Sequence, residues 1–194
     1  MRINVANLIS ITRAVLAFVA AGLLLYGEGK SFALAAASVI LIAVLLDALD
    51  GRIARRFGYQ SKIGELSDLY TDHILANTVW VALSYLGFVS VWVPLITTTR
   101  DLIVDWFRQA GLVATGLNGF EQAFESRFKW VVSSREMRAL YGVLKVFSWI
   151  GVSLASFLPI ENQMQAIVWT TVAVCILRAL PSISVNWKHI VFVR

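Results

Sequence analysis

The chain has 194 residues, room for one domain or at most two small ones. Hydrophobic residues make up 58% and charged residues 15%, against roughly 45–50% and about 25% in average soluble chains, which excludes an ordinary soluble domain and a disordered chain. The single cysteine, Cys175, excludes an intramolecular disulfide framework and a Cys-rich zinc site, and the formal net charge of +5 fits cationic loops beside a membrane better than a nucleic-acid partner.

A membrane-spanning helix needs about 20 mostly apolar residues. Six such runs follow one another, near Val5–Tyr26, Phe32–Arg55, Glu65–Leu86, Val89–Leu112, Ala139–Leu158 and Gln163–Leu180. The first connection, Gly27-Glu28-Gly29-Lys30, reads as a loop between two spans. A cleaved leader is the competing reading, because Arg2 and Arg13 precede an apolar run and Ala33-Leu34-Ala35 resembles a cleavage site. The third and fourth spans share one uncharged stretch, Ile74–Thr99. They divide at Gly87-Phe88-Val89-Ser90, since a single helix from Glu65 to Leu112 is too long for one bilayer. After the fourth span, Gly116–Arg138 interleaves aromatic and charged residues and suits an interfacial amphipathic helix or a loop over an active site. The tail Trp187-Lys188-His189 reads as a surface segment. Trp80, Trp92, Trp106, Trp149 and Trp169 read as core or interface anchors.

With these spans, sixteen of the Lys and Arg residues fall on one side and only Lys30 on the other. The positive-inside rule then predicts an all-α integral membrane fold of six transmembrane helices, with both termini and the even-numbered connections cytoplasmic. The expectation is one membrane domain over 1–194, in the inner or cytoplasmic membrane.

Charged side chains inside spans are costly, roughly 2.5–3.5 kcal/mol each at the centre on insertion scales. Even so, Asp47, Asp50, Asp68 and Asp72 lie at the cytoplasmic ends of two successive predicted spans. Asp47 and Asp50 are three apart, and Asp68 and Asp72 four apart, so each pair shares a helix face. A short connection lets the two faces meet. Four converging carboxylates repel unless something neutralises them, and oxygen-only ligands suit hard divalent ions such as Mg²⁺, Mn²⁺ or Ca²⁺. Gly51, Ala54 and Gly64 leave room for a ligand to approach, and Arg55 supplies a fork suited to phosphate. The constellation reads as a metal-bridged pyrophosphate site at the membrane–cytoplasm boundary. The bland alternative is an ion-pair network of the aspartates with Arg52, Arg55 and Arg56.

In full, the segment runs Asp47-Ala48-Leu49-Asp50-Gly51-Arg52-Ile53-Ala54-Arg55, eight residues, Gly64, three residues, Asp68, three residues, Asp72. It resembles the signature of the CDP-alcohol phosphotransferase family at all eight positions: four Asp, two Gly, one Ala and one Arg. At ordinary residue usage a chance match is on the order of 10⁻¹⁰ per start position. A weaker likeness covers Asn7-Leu8-Ile9-Ser10-Ile11-Thr12-Arg13, which is similar to the opening of the family's first span. The resemblance implies transfer of a substituted phosphoryl group from a CDP-alcohol to a second alcohol, with release of CMP. For a membrane chain the donor is then CDP-diacylglycerol and the product a phospholipid. It implies that Asp47, Asp50, Asp68 and Asp72 hold two divalent ions, Mg²⁺ or Mn²⁺, and that Asp72 is also the general base. Gly51, Ala54, Arg55 and Gly64 would line the cytidine and diphosphate pocket, and a homodimer is implied as well.

The resemblance implies a small polar alcohol as the acceptor. Arg100, Arg108, Arg135, Arg138 and Lys145 flank the predicted cytoplasmic side and suit an anionic one, with Arg100 and Arg138 as the chosen ligands. The bland reading of such residues is topology signalling, and of Arg100-Asp101 and Asp105-Arg108 pairing along one helix. The short chain resembles the phosphatidylglycerophosphate synthase-like branch, which makes glycerol 3-phosphate the expected acceptor. That branch has Asp-Pro-x-Ala-Asp-Lys around its last two aspartates, whereas this chain has Asp68-Leu69-Tyr70-Thr71-Asp72-His73. Inositol, inositol phosphate and serine are the alternative acceptors. A divalent-cation transporter is the alternative of another class, since intramembrane carboxylates also line ion pathways. It calls for acidic groups through the membrane depth, whereas these sit at one side. A catalytically dead scaffold that binds lipid or partner helices is a third reading, and the intact base position argues against it.

Overall fold

A computed structural model describes the backbone of residues 5–57, 62–116, 135–155, 157 and 160–191, and side chains over 8–49, 64, 66–114, 116, 136–155, 157 and 160–187. Among these residues all regular structure is helical. Six helices follow in order: α1 Val5–Tyr26, α2 Lys30–Phe57, α3 Lys62–Tyr85, α4 Trp92–Thr115, α5 Arg135–Ala155 and α6 Glu161–Val191. Each falls on one of the six apolar runs. The predicted polar segment between α4 and α5 lies mostly outside the described residues, as do His189 and the basic trio Arg52, Arg55 and Arg56 at the level of side chains.

Four helical segments among the described residues are long and apolar enough to cross a membrane: Leu8–Tyr26, Lys30–Leu49, Glu136–Ala155 and Glu161–Trp187. Helices α3 and α4 have 24 residues each, about 36 Å at 1.5 Å per residue. Their length suffices, but Glu65, Asp68, Asp72, Arg100, Asp101, Asp105 and Arg108 make them more polar than the other four. The chain is therefore an integral membrane protein, helical throughout its described regular structure and with four spanning candidates among the described residues.

The breaks between helices have local causes. Gly29 takes φ +86° and Gly87 takes φ +75°, a region that L side chains rarely enter. Gly87 stands at the predicted division of the uncharged stretch. There the backbone N–H of Phe88 donates to Leu83 O and that of Gly87 to Ser84 O, which closes α3 before α4 begins. Helix α6 departs from expectation. Its predicted end, Leu180, precedes Pro181, yet the helix continues through that proline to Val191. Side chains attach to backbone carbonyls just past it, Ser184 Oγ to Pro181 O at 3.0 Å and Asn186 Nδ2 to Ser182 O at 2.9 Å. Trp187 accordingly belongs to a helix, and its ring stacks on Phe107 at 6.1 Å.

The chain forms two compact units. The first comprises Met1–Pro94 and Val146–Gln165. In it α1 packs on both α2 and α3. The contact faces are built from small residues: Ala17, Ala20 and Ala21 on α1, and Ala33, Ala36, Ala37 and Ala43 on α2, are all buried. Small side chains let helices approach closely where lipid supplies no hydrophobic drive. Larger groups fill the rest, and Trp80 meets Trp149 edge to face with centroids 6.0 Å apart, both rings fully buried. The second unit comprises Leu95–Lys145 and Ala166–Arg194.

Candidate active site

The small-residue faces of the first unit end in charge. On α1 the buried positions Ser10, Arg13, Ala17, Ala20 and Leu24 recur at intervals of three and four, one helix face. Arg13 occupies a position on that face where alanine would be expected. On α2 the series Ala33, Ala36, Ile40 and Ala43 leads to Asp47 at the same spacing. On α3, Asp68 and Asp72 sit one turn apart, on the face that continues through Leu75, Ala76 and Val79. Packing α1 against α2 and α3 therefore brings one arginine to three aspartates.

The contacts are short and specific. Arg13 Nη1 lies 2.6 Å from Asp47 Oδ1 and 2.6 Å from Asp68 Oδ1, and Nη2 lies 2.6 Å from Asp72 Oδ1. The guanidinium donates hydrogen bonds to Asp68 and Asp72. The Arg13 side chain is 0% exposed, whereas those of Asp47, Asp68 and Asp72 are 37%, 52% and 43% exposed. The carboxylates thus turn one side to a buried cation and the other outward. Threonine 71, between the two α3 aspartates, is buried and donates to Ser67 O at 2.7 Å, which keeps its hydroxyl within the helix.

Among the described residues three carboxylates meet one guanidinium, so acidic groups outnumber basic ones in the cluster. Among the described residues the carboxylates do not form a metal cage of their own, since their Oδ1 atoms converge on Arg13. The donor chemistry nevertheless fits a hard divalent ion: oxygen ligands only, excess negative charge and an exposed outer side. The Asp50 side chain lies outside the described residues; its helical position is three after Asp47. Gly51, Ala54 and Arg55 follow on the last turns of α2, with side chains likewise outside the described residues. Gly64 is half-buried on α3, one turn before Asp68. The described counter-charge of the aspartates is Arg13, a residue the sequence alone did not assign to the site.

The second unit holds a charge cluster of opposite balance. Arg100 on α4 pairs with Asp101 at 2.8 Å, both side chains largely buried. Arg100, Arg108 and Arg178 lie within electrostatic range of one another; Asp101 is near Arg100 and Arg108, Asp105 near Arg108, and Tyr141 and Cys175 near Arg100 and Arg178. The Arg178 guanidinium lies over the Tyr141 ring, 4.9 Å from its centroid, and Lys145 Nζ lies 5.8 Å from the same centroid. Tyr141 Oη donates to Cys175 Sγ at 3.3 Å. Arg100 Nε and Arg178 Nε are buried N–H groups without a hydrogen-bond partner among the described residues. Of the two predicted acceptor ligands, Arg100 belongs to this cluster, and Arg138 is exposed in the first turns of α5. Arg178 was legible in the sequence only as one of the topology-marking cations.

Comparison with known proteins gives a consistent result. The family model described as CDP-alcohol phosphatidyltransferase matches residues 3–177. A probable phosphatidylglycerophosphate synthase of Mycobacterium tuberculosis is 32% identical over 109 residues, 55% of this chain and 52% of that protein. A CDP-diacylglycerol–glycerol-3-phosphate 3-phosphatidyltransferase of Mycoplasma genitalium is 34% identical over 70 residues, 36% of this chain and 30% of that protein. A probable cardiolipin synthase (CMP-forming) of Drosophila melanogaster is 31% identical over 102 residues, 52% of this chain and 30% of that protein. The matched part of the chain thus spans about half the length of the first of these relatives, and less of the others.

Proposed function

We propose a function from one premise: the chain belongs to the CDP-alcohol phosphatidyltransferase family. The proposed activity is transfer of a phosphatidyl group from CDP-diacylglycerol to the hydroxyl of glycerol 3-phosphate, with release of CMP. The observation that carries it is the convergence of Asp47, Asp68 and Asp72, three of the four signature aspartates, at one point of the first unit. The identities of the bacterial relatives support glycerol 3-phosphate over inositol, inositol phosphate or serine.

In the proposed reaction the acceptor oxygen forms a bond to the phosphorus that carries diacylglycerol, and the bond from that phosphorus to the CMP oxygen breaks. Asp72 takes the proton of the attacking hydroxyl. Its partly exposed side chain and its attachment to Arg13 Nη2 hold it in one orientation for that role. Asp47, Asp50, Asp68 and Asp72 are the proposed holders of two divalent ions, Mg²⁺ or Mn²⁺. When bound, such ions neutralise the diphosphate and the departing phosphate. Gly51, Ala54, Arg55 and Gly64 are the proposed lining of the nucleotide pocket. Arg100 and Arg138, with Arg178 and Arg108, are proposed for the anionic acceptor on their chemistry: guanidinium forks match phosphate oxygens, and the buried Arg100 Nε and Arg178 Nε have no hydrogen-bond partner among the described residues. The positive-inside count supports a site on the cytoplasmic side of the inner membrane, where the nucleotide and acceptor would arrive from water. A homodimer is part of the proposal only through the family.

The test is CMP release by the purified chain in detergent, with CDP-diacylglycerol and either Mg²⁺ or Mn²⁺. Glycerol 3-phosphate, inositol, inositol phosphate and serine are supplied singly. Release with glycerol 3-phosphate alone, abolished by chelation, is the expected result. Release with a different single acceptor overturns the acceptor assignment and leaves the reaction class standing. Silence with every acceptor, together with Mn²⁺ uptake into proteoliposomes that Asp50→Asn abolishes, overturns the enzyme reading in favour of a transporter.

A further inference from the structure

Among the described residues Arg13 is the cation inside the carboxylate cluster, and the reaction outlined above uses it only to orient Asp72. A buried guanidinium is costly unless its charge is compensated, and removing one partner of such a cluster leaves the remaining charges exposed to one another. Here the compensation comes from two other helices. Nη1 meets Asp47 of α2 and Asp68 of α3, and Nη2 meets Asp72 of α3, all at 2.6 Å. Arg13 has no exposure, so water does not screen it, while the carboxylates it holds are between 37% and 52% exposed. The same carboxylates are the ones proposed to hold the divalent ions. A fixed cation inside an oxygen cluster does two opposing things: it suppresses repulsion among the carboxylates and competes for their charge.

We propose that Arg13 is a positioning residue that acts as a built-in counter-cation, sharing Asp47, Asp68 and Asp72 with the divalent ions, so that the site stays assembled without ions and binds them less tightly than the carboxylates alone would. The inference rests on the metal-site reading given above. The planar fork matters as much as the charge. Two terminal nitrogens reach three carboxylates on two helices, which the single ammonium of lysine cannot reproduce in the same geometry. Arg13 and the ions are therefore coupled ligands of one carboxylate set. Loss of either is felt by the other, typically as a change of about 5–150-fold in affinity.

The test compares the full chain with Arg13→Gln and Arg13→Lys in detergent, without substrate. Two quantities are read: Mn²⁺ affinity by electron paramagnetic resonance, and the thermal unfolding midpoint in chelator and in saturating Mg²⁺. The expected result for Arg13→Gln is Mn²⁺ binding tightened by about 10-fold, a lowered midpoint in chelator, and recovery of most of that loss in Mg²⁺. Arg13→Lys should keep more stability in chelator and tighten Mn²⁺ by less. If Arg13→Gln yields no folded protein, Arg13→Lys carries the test, and a larger Mg²⁺-induced rise in its midpoint than in the parent supports the proposal. An unchanged Mn²⁺ affinity, with a stability loss equal in chelator and Mg²⁺, overturns it and leaves Arg13 a purely structural ion-pair partner. Absence of Mn²⁺ binding by the parent chain is a different failure, that of the metal-site reading itself.

Discussion

Among the described residues the two compact units each gather charge among apolar helices, with opposite excess. In the first, one arginine is surrounded by three aspartates. In the second, Arg100, Arg108 and Arg178 gather with two aspartates, Asp101 and Asp105, and with Tyr141 and Cys175. Charge inside a membrane protein is tolerated where it is paired or does work. Among the described residues the excess is acidic in the first cluster and basic in the second, which suits a cation and an anion in turn. A reaction between an anionic diphosphate and an anionic acceptor calls for both kinds of site.

The sharpest way to break this contrast is to neutralise the first cluster. Asp68→Asn and Asp72→Asn are each expected to lower CMP release by at least about 100-fold, the lower end of what a positioned acid or base contributes. Thermal melting should show both variants folded, since Arg13 keeps two carboxylate partners in each. Substantial turnover in either variant would remove the metal-and-base assignment. Next in size are the arginines of the second cluster. Arg100→Gln and Arg178→Gln each delete a charged donor, worth roughly 1.5–3 kcal/mol in a hydrogen bond to an ionised partner. The expected effect is a rise of about 10–100-fold in KM for glycerol 3-phosphate, with kcat and the KM for CDP-diacylglycerol little changed. An equal rise in both KM values would mean that the second cluster does not discriminate the acceptor.

The two clusters also differ in how far the sequence disclosed them. The aspartates lie in one short stretch with fixed spacing, so the motif was readable without a structure. The helices that carry them were readable too, because α1 fills the first apolar run end to end and Gly87 supplies the left-handed turn that divides the uncharged stretch. Arg13 was not, although a signal existed. It stands in register with Ser10, Ala17, Ala20 and Leu24, on the face that must meet other helices. An arginine on such a face has to find carboxylates nearby. The second cluster is assembled from α4, α5 and α6, with its members far apart in the chain, and no local spacing announces it. The end of α6 was misread because proline in a soluble helix costs about 3 kcal/mol. Within a membrane protein the freed backbone groups are satisfied by neighbours, and the helix runs on.

Tyr141 offers the smallest and most selective way to sharpen the comparison, because its two contacts separate by substitution. Its hydroxyl donates to Cys175 Sγ at 3.3 Å, and its ring face lies under the Arg178 guanidinium at 4.9 Å. Sulfur is a weak acceptor, so Tyr141→Phe removes little and keeps the ring where Arg178 needs it. The expected outcome is a KM for glycerol 3-phosphate within about 2-fold of the parent, since a net hydrogen bond contributes roughly 0.5–1.5 kcal/mol at most to stability and none of it to the ligand directly. Tyr141→Leu removes the ring as well and with it a contact of about 0.5–2 kcal/mol. Arg178 then loses the surface that orients its fork, and the KM should rise several-fold while kcat holds. If Phe and Leu behave alike, the Tyr141 ring does not orient the Arg178 fork, and the cation–π contact carries nothing for the acceptor.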